Sequence, residues 1–152
     1  MDNKGISPLR DIETIKNLFF CYRQQRFDVA FHFTIKPVIY GGQVARLLNI
    51  SYVSTITGLG TVFIKKSWVT IFVKFLYRIS QKKAHCIFFL NYDDMAIFLR
   101  NGLVGKEMVA ITPGSGIDVD YFKCEKSSSV ESSGNRLIFL LVARMLSDKG
   151  VN

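Results

Sequence analysis

Phe27-Asp-Val-Ala-Phe-His-Phe-Thr-Ile-Lys-Pro-Val-Ile-Tyr-Gly-Gly-Gln-Val-Ala-Arg-Leu-Leu-Asn-Ile-Ser-Tyr-Val-Ser-Thr-Ile-Thr57 decides the fold. Its first part, Phe27–Phe33, is dense in aromatic and β-favouring side chains and reads as a short strand. Pro37 suits the first turn of a helix, where its lacking N–H would have had no partner. That helix is expected to run to about Leu48 through a Gly41-Gly42 pair that permits close packing. Ile50–Thr55 reads as a second strand. A strand, a crossover helix and a strand in this order form the unit from which parallel sheets covered by helices are built.

Outward from this unit the alternation continues. Toward the N-terminus, Asp11–Arg26 is expected to be helical, with Ile12, Ile15, Leu18, Phe19 and Tyr22 on one side. Toward the C-terminus, Thr57-Gly58-Leu59-Gly60 ends the second strand, and an apolar helix beginning near Trp68 follows. Next come a strand over Ala84–Leu90, a helix over Asp93–Asn101 stopped by Gly102, and a strand over Met108–Thr112. Pro113-Gly114-Ser115-Gly116 is a turn cluster, and Lys126–Gly134 is polar and low in complexity. Beyond it, Arg136–Val142 reads as a buried strand and Ala143–Gly150 as the loop and helix start that follow. The expected organisation is a partial α/β domain over 1–121, a polar linker over 122–135, and the start of a second domain over 136–152.

At 152 residues and 49% hydrophobic content, the chain can bury one real core but has no room for two complete domains. The three cysteines, Cys21, Cys86 and Cys124, are far apart, with only His32 and His85 as possible co-ligands. Structural zinc and a disulfide framework are therefore not expected, and no cofactor is implied. A reducing cytosolic setting fits best. The polar Met1-Asp-Asn-Lys-Gly5 start does not resemble a secretion signal. The apolar run Trp68–Ile79 is interrupted by Lys74 and Arg78 and falls well short of the roughly 20 residues that span a bilayer.

Charge is concentrated. The chain has a net charge of +8, and between Val29 and Tyr92 it contains no Asp or Glu. Lys36, Arg46, Lys65, Lys66, Lys74, Arg78, Lys82 and Lys83 all fall in that interval. Lys74, Arg78 and Lys82 recur at steps of four and are expected along one helix face, opposite an apolar stripe of Trp68, Ile71, Phe72, Phe75 and Ile79. One reading is a helix docked on the core with its basic face in solvent. Another is a helix resting on an anionic membrane or lipid headgroup. Nucleic acid is the weakest of the three readings, because no recognisable base-reading module accompanies the cations.

Neither Gly58-Leu-Gly60 nor Gly114-Ser-Gly116 is completed to a dinucleotide fingerprint, and no Gly-Lys-Ser/Thr phosphate loop occurs. Gly58 and Gly60 nevertheless follow a strand and precede a helix, which in an open parallel sheet is the ligand-binding edge. They serve there as a tight turn, or as one that also brings backbone amides to a ligand. His32 lies near the end of its strand, with Thr34 and Lys36 in the loop beyond. A lone histidine at such a place is more often a hydrogen-bonded structural group than a ligand. Arg144 and Lys149 follow the Arg136–Val142 strand at the start of a helix, a placement that grips a diphosphate in many proteins.

Gly5-Ile-Ser-Pro-Leu-Arg-Asp-Ile12, Phe27–Gly41, Thr57-Gly-Leu-Gly-Thr-Val-Phe63, Phe89-Leu-Asn-Tyr-Asp-Asp94, Gly114-Ser-Gly-Ile-Asp118 and Ala143-Arg-Met-Leu-Ser-Asp-Lys-Gly150 together resemble family 4 glycosyltransferases of the GT-B fold. The likeness is to the bacterial branch that builds capsule, O-antigen or glycan-carrier oligosaccharides, with N-acetylgalactosaminyltransferases acting on polyprenyl-diphosphate sugars among its members. It implies two Rossmann-like domains facing each other across a cleft. Of these, the chain would supply the later part of the first and the opening strand of the second. The early glycine loop is then expected before residue 1, and the acidic donor-binding motif beyond Asn152.

The implied chemistry is retaining transfer of a hexose or N-acetylhexosamine from a nucleotide sugar, with a UDP-sugar expected, to a polyprenyl-diphosphate-linked or saccharide acceptor. Arg144 and Lys149 match the donor diphosphate pair, and His32, Thr34, Lys36, Gly58 and Gly60 the acceptor-side loops. Gly114 and Gly116 match the hinge, while Asn91 and Asp94 are cleft-edge candidates. No metal is implied. Such a protein would work in the cytoplasm, peripherally at the inner face of the cell membrane, and this stretch alone is expected to bind weakly without turnover. The alternative from a different class is a basic, non-enzymatic module that binds anionic lipid or a partner subunit.

Overall fold

The computed structural model describes residues 8–60, 63, 67–114, 116–123 and 142. Contacts divide the chain into one compact unit over Met1–Gly114 and a second over Ser115–Asn152. The first unit holds the whole sheet. Its elements run α1 Pro8–Gln25, β1 Val29–Phe33, a π-helical turn Pro37–Gly41 continuing into α2 Gly42–Leu47, β2 Ser51–Ile56, α3 Trp68–Ser80, β3 Cys86–Phe89, α4 Tyr92–Arg100 and β4 Val109–Ile111. The four strands pair in the order β1-β2-β3-β4, and every pair is parallel. The α/β alternation anticipated from the sequence is thus present, with boundaries shifted by at most three residues.

Strand alternation settles which side chains go inward. Ala30 and His32 of β1, Tyr52, Ser54 and Ile56 of β2, and Ile87 and Phe89 of β3 are buried on one face. The helices pack there: Tyr22 of α1 lies parallel to the His32 ring, and Phe98 of α4 meets Phe89 and Tyr77 edge-on at 5.2 and 5.0 Å between centroids. Val29, Phe31 and Phe33 point the other way and are exposed.

Helix ends follow local chemistry. The Ser67 hydroxyl and Thr70 form a reciprocal capping box at the start of α3, and the Asn91 side chain accepts the Asp94 N–H at 2.7 Å at the start of α4. Gly102 stops α4 as expected, at φ +60, with Leu103 N–H reaching back to the Phe98 carbonyl and Gly102 N–H to that of Leu99. Asn49, at φ 55, closes α2 by the same bonding pattern through Ile50 to Ala45. The glycine pair does what its composition suggests. A Cβ on Gly41 would sit 2.8 Å from His32 Nε2, and one on Gly42 would sit 2.9 Å from Gln81 Nε2.

The orientation of α3 corrects the sequence reading. In the docked reading Trp68, Ile71, Phe72, Phe75 and Ile79 would face the core, yet the first four are 87, 62, 59 and 56% exposed and only Ile79 is half-buried. The side that docks carries Thr70, Tyr77 and Ser80. Hydrogen bonds fix this choice: Tyr52 donates to the Ser80 carbonyl, and the adjoining Gln81 Nε2 donates to the Val38 carbonyl at 2.8 Å. Among the described residues no helix is long and apolar enough to cross a membrane, and no group of His, Cys, Asp or Glu could hold a metal ion.

Candidate functional site at the carboxyl edge of the sheet

In a parallel sheet the loops that leave the carboxyl ends of the strands converge on one edge, and three of the sequence candidates meet there. β1 delivers Thr34 in the left-handed region at φ 70, an uncommon conformation for a β-branched residue, with its side chain exposed. The Thr34 carbonyl accepts the Val38 N–H at 3.1 Å and so launches the π-helical turn. After β2, Gly58 adopts φ 152 with open space where a Cβ would be, and Gly60 adopts φ 66. Gly60 lies against the first loop, since a Cβ there would come within 2.9 Å of Ile35 Cδ1. The glycine turn and the Thr34–Lys36 loop therefore share one surface.

Lys36 is not a free cation. Its ammonium contacts Asp11 Oδ1 of α1 at 3.0 Å, and Tyr40 hydrogen-bonds to the same carboxylate. Burial, and secondarily that bond and the Asp11 charge, push the Tyr40 hydroxyl up to about 12. Asp11 and Tyr40 were not foreseen. Asp11 lies 25 residues from Lys36 on a different element, and nothing in local spacing announces the pair.

His32 lies in the strand rather than the loop, 2% exposed, turned away from the edge and under the helices. The Tyr22 hydroxyl lies 2.9 Å from its Nε2. Its Nδ1 is buried with no partner among the described residues, as is the Oγ of Ser54, its register neighbour on β2. Burial lowers the His32 pKa to about 4, so the ring is neutral near pH 7. This geometry is that of a structural histidine. A signal for it existed in the sequence, because a hydroxyl on the apolar stripe of α1 needs a buried partner.

Asn91 and Asp94 do reach the carboxyl edge of β3, but each is occupied by the other as the cap of α4. Asn91 Nδ2 donates to Asp94 Oδ2 at 3.0 Å, beside the main-chain bond already described. Gly114 and Gly116 adopt φ 94 and φ 67, backbone conformations that favour glycine. They belong to different compact units. Arg144 and Lys149, the linker beyond Lys123 and the Arg136–Leu141 part of the last predicted strand lie outside the described residues.

Two members of the basic stripe have partners at the end of α4. Lys74 donates to Asn101 Oδ1 at 2.8 Å, while Arg78 donates through Nε to the Gly102 carbonyl and through Nη2 to that of Asn101, both at 2.9 Å. These cations lie beside the C-terminal end of α4, where a helix dipole favours positive charge.

A cavity of about 460 Å³, bordered by Arg23, Arg26, Asn49 and Ser51, opens at the opposite, amino edge. The C-termini of α1 and α2 end there, so its arginines sit beside outward-pointing helix carbonyls. Two of its bordering residues, Arg26 at φ 48 and Asn49 at φ 55, share the left-handed backbone of Thr34, so strain does not single out either edge; the carboxyl edge is set apart by the meeting of two loops that follow strands. Compared with known proteins, no family model matches the chain and no curated protein matches it significantly.

Proposed function

We propose that the chain is the acceptor-side part of a family 4 glycosyltransferase of the GT-B fold. It would take part in retaining transfer of a hexose or N-acetylhexosamine from a UDP-sugar to a lipid-linked or saccharide acceptor, peripherally at the inner face of the cell membrane. One observation carries the reading: the Gly58–Gly60 turn seated against the strained Thr34–Lys36 loop, at the carboxyl edge of an all-parallel sheet. The motif resemblance assigns acceptor loops to those same residues.

The chemistry follows from the groups present. Thr34 and Thr57 offer hydroxyls, and the open Gly58 lets a ligand approach the main chain closely. Lys36, already balanced by Asp11, presents N–H donors with little net field, which suits sugar hydroxyls better than a bare phosphate. In this reading Arg144 and Lys149 stabilise the charge that builds on the departing diphosphate.

Hydrogen exchange in the presence of a polyprenyl-diphosphate-linked N-acetylhexosamine tests the assignment. Slowed exchange is expected over 34–36 and 57–60, weakened by Thr34→Ala and Lys36→Ala. UDP-sugar binding is expected to weaken instead with Arg144→Ala and Lys149→Ala. Unchanged exchange in both loops at saturating acceptor overturns the reading.

A further inference from the structure

The amino edge of the sheet carries groups that the acceptor-loop reading does not use. The cavity of about 460 Å³ there shares a wall of Asn49, Ile50 and Ser51 with a smaller one of about 160 Å³, which Arg46 and Lys83 border. The two therefore adjoin. The larger has the size of sites that enclose a small organic ligand, far more than a bare phosphate fills.

Charge narrows the ligand class. Arg23, Arg26, Arg46 and Lys83 border the two cavities, and Asp28 is the one carboxylate among the lining residues. The ends of α1 and α2 offset only roughly half an elementary charge each, so the edge stays positive. A concave surface of one sign concentrates counter-ions. Arg46 is tethered, since it donates to the Ile79 carbonyl at 3.2 Å. Arg23 and Arg26 are available: among the described residues neither guanidinium has a hydrogen bond or an ion pair, Asp28 included. Their forked donors match phosphate oxygens in shape as well as in charge.

The same wall has an apolar part. Phe27 is 41% exposed there, and the Tyr22 ring meets it edge to face at 5.6 Å between centroids. Cations for phosphate, an exposed ring for a planar group, and the Asn49 amide and Ser51 hydroxyl for polar edges are the set of groups that a nucleotide engages. We propose that the amino edge is a nucleotide-binding site, with the phosphates on Arg23 and Arg26, the cationic wall extended by Arg46 and Lys83, and the base stacked on Phe27. A mononucleotide fits a pair of adjoining cavities better than a nucleic-acid strand, which tracks a long groove. The site stands apart from the acceptor loops, which lie at the other end of the strands.

ADP is the probe, and the full chain carries Arg144→Ala and Lys149→Ala so that the donor pair of the proposed function stays out of the measurement. Slowed hydrogen exchange is expected over 22–28 and 48–51, with no change over 34–36 and 57–60. In equilibrium dialysis, adenosine and inorganic pyrophosphate are each expected to bind more weakly than ADP. Arg23→Gln with Arg26→Gln, at exposed positions where circular dichroism checks the fold, is expected to weaken ADP binding by about tenfold or more. Arg23→Lys with Arg26→Lys keeps the charge and is expected to retain more affinity than the Gln pair. Phe27→Ala is expected to weaken binding by about tenfold through lost stacking.

Unchanged exchange over 22–28 and 48–51 at saturating ADP overturns the proposal, as does equal ADP affinity in the Gln pair. Pyrophosphate binding as tightly as ADP overturns it as well, because the base would then contribute nothing. Protection of these segments by phosphatidylglycerol vesicles or by an RNA oligonucleotide, where ADP gives none, replaces the nucleotide with a lipid headgroup or a nucleic acid. The protected segments do not overlap the acceptor loops, so either proposal can fail while the other stands.

Discussion

His32 shows how one side chain couples burial to pH. The folded ring titrates near 4 because burial disfavours its charged form, while the unfolded chain takes up a proton at the ordinary value of 6.5. Between these values the unfolded state binds more protons, so stability falls as pH drops from 6.5 toward 4 and is flat above that window. The loss is on the order of 2 kcal/mol, and His32→Gln is expected to flatten the slope in urea unfolding at pH 7 and pH 4.5. Gly41 packs against the same ring. Gly41→Ala keeps a helical backbone but drives a methyl group to within 2.9 Å of both His32 Nε2 and Cδ2 and to 3.3 Å from the Tyr22 hydroxyl. Overpacking of this kind costs about 1–3 kcal/mol, and a lowered unfolding midpoint at pH 7 is the expected result.

Among the elements, α3 and α4 show what a sequence reveals and what it conceals. The existence of both helices and of the Gly102 stop was legible, because caps and periodicity are local. The direction in which α3 faces was not. An apolar stripe normally turns inward, and the bonds that reverse it come from Tyr52 on β2 and from the turn after α3, which no helical pattern contains. The partners of the cations were hidden for the same reason: steps of four place Lys74 and Arg78 on one face, but Asn101 and Gly102 lie at the end of another helix. Arg78 now carries a prediction. Arg78→Ala removes two bonds to the Asn101 and Gly102 carbonyls just past α4, and because the guanidinium is exposed the expected loss is about 1 kcal/mol. Lys82→Ala, at a position with no bond among the described residues, should leave the unfolding midpoint unchanged.

At the scale of the whole sheet, handedness decides which surface is covered. Crossovers between parallel strands are right-handed in nearly all proteins, so strands laid down in the unbroken order β1 to β4 put their connecting helices on one face. The alternation of strands and helices was readable in the sequence, but strand order was not, because adjacent and reversed orders share the same hydrophobic pattern. The consequence is visible in the register. Phe31 lies beside Val53 and Val53 beside Cys86, and Phe33 beside Thr55 and Thr55 beside Phe88, all directed away from the buried face that the helices cover. Phe31 and Phe33 remain 65 and 55% exposed. Threonine keeps the strand preference of these positions while removing the rings. Phe31→Thr with Phe33→Thr is therefore expected to lower the fluorescence of a bound hydrophobic dye while shifting the unfolding midpoint by less than ~4 °C, equivalent to about 1 kcal/mol. An unchanged dye signal, or collapse of the fold, would mean that these rings are held by the core after all.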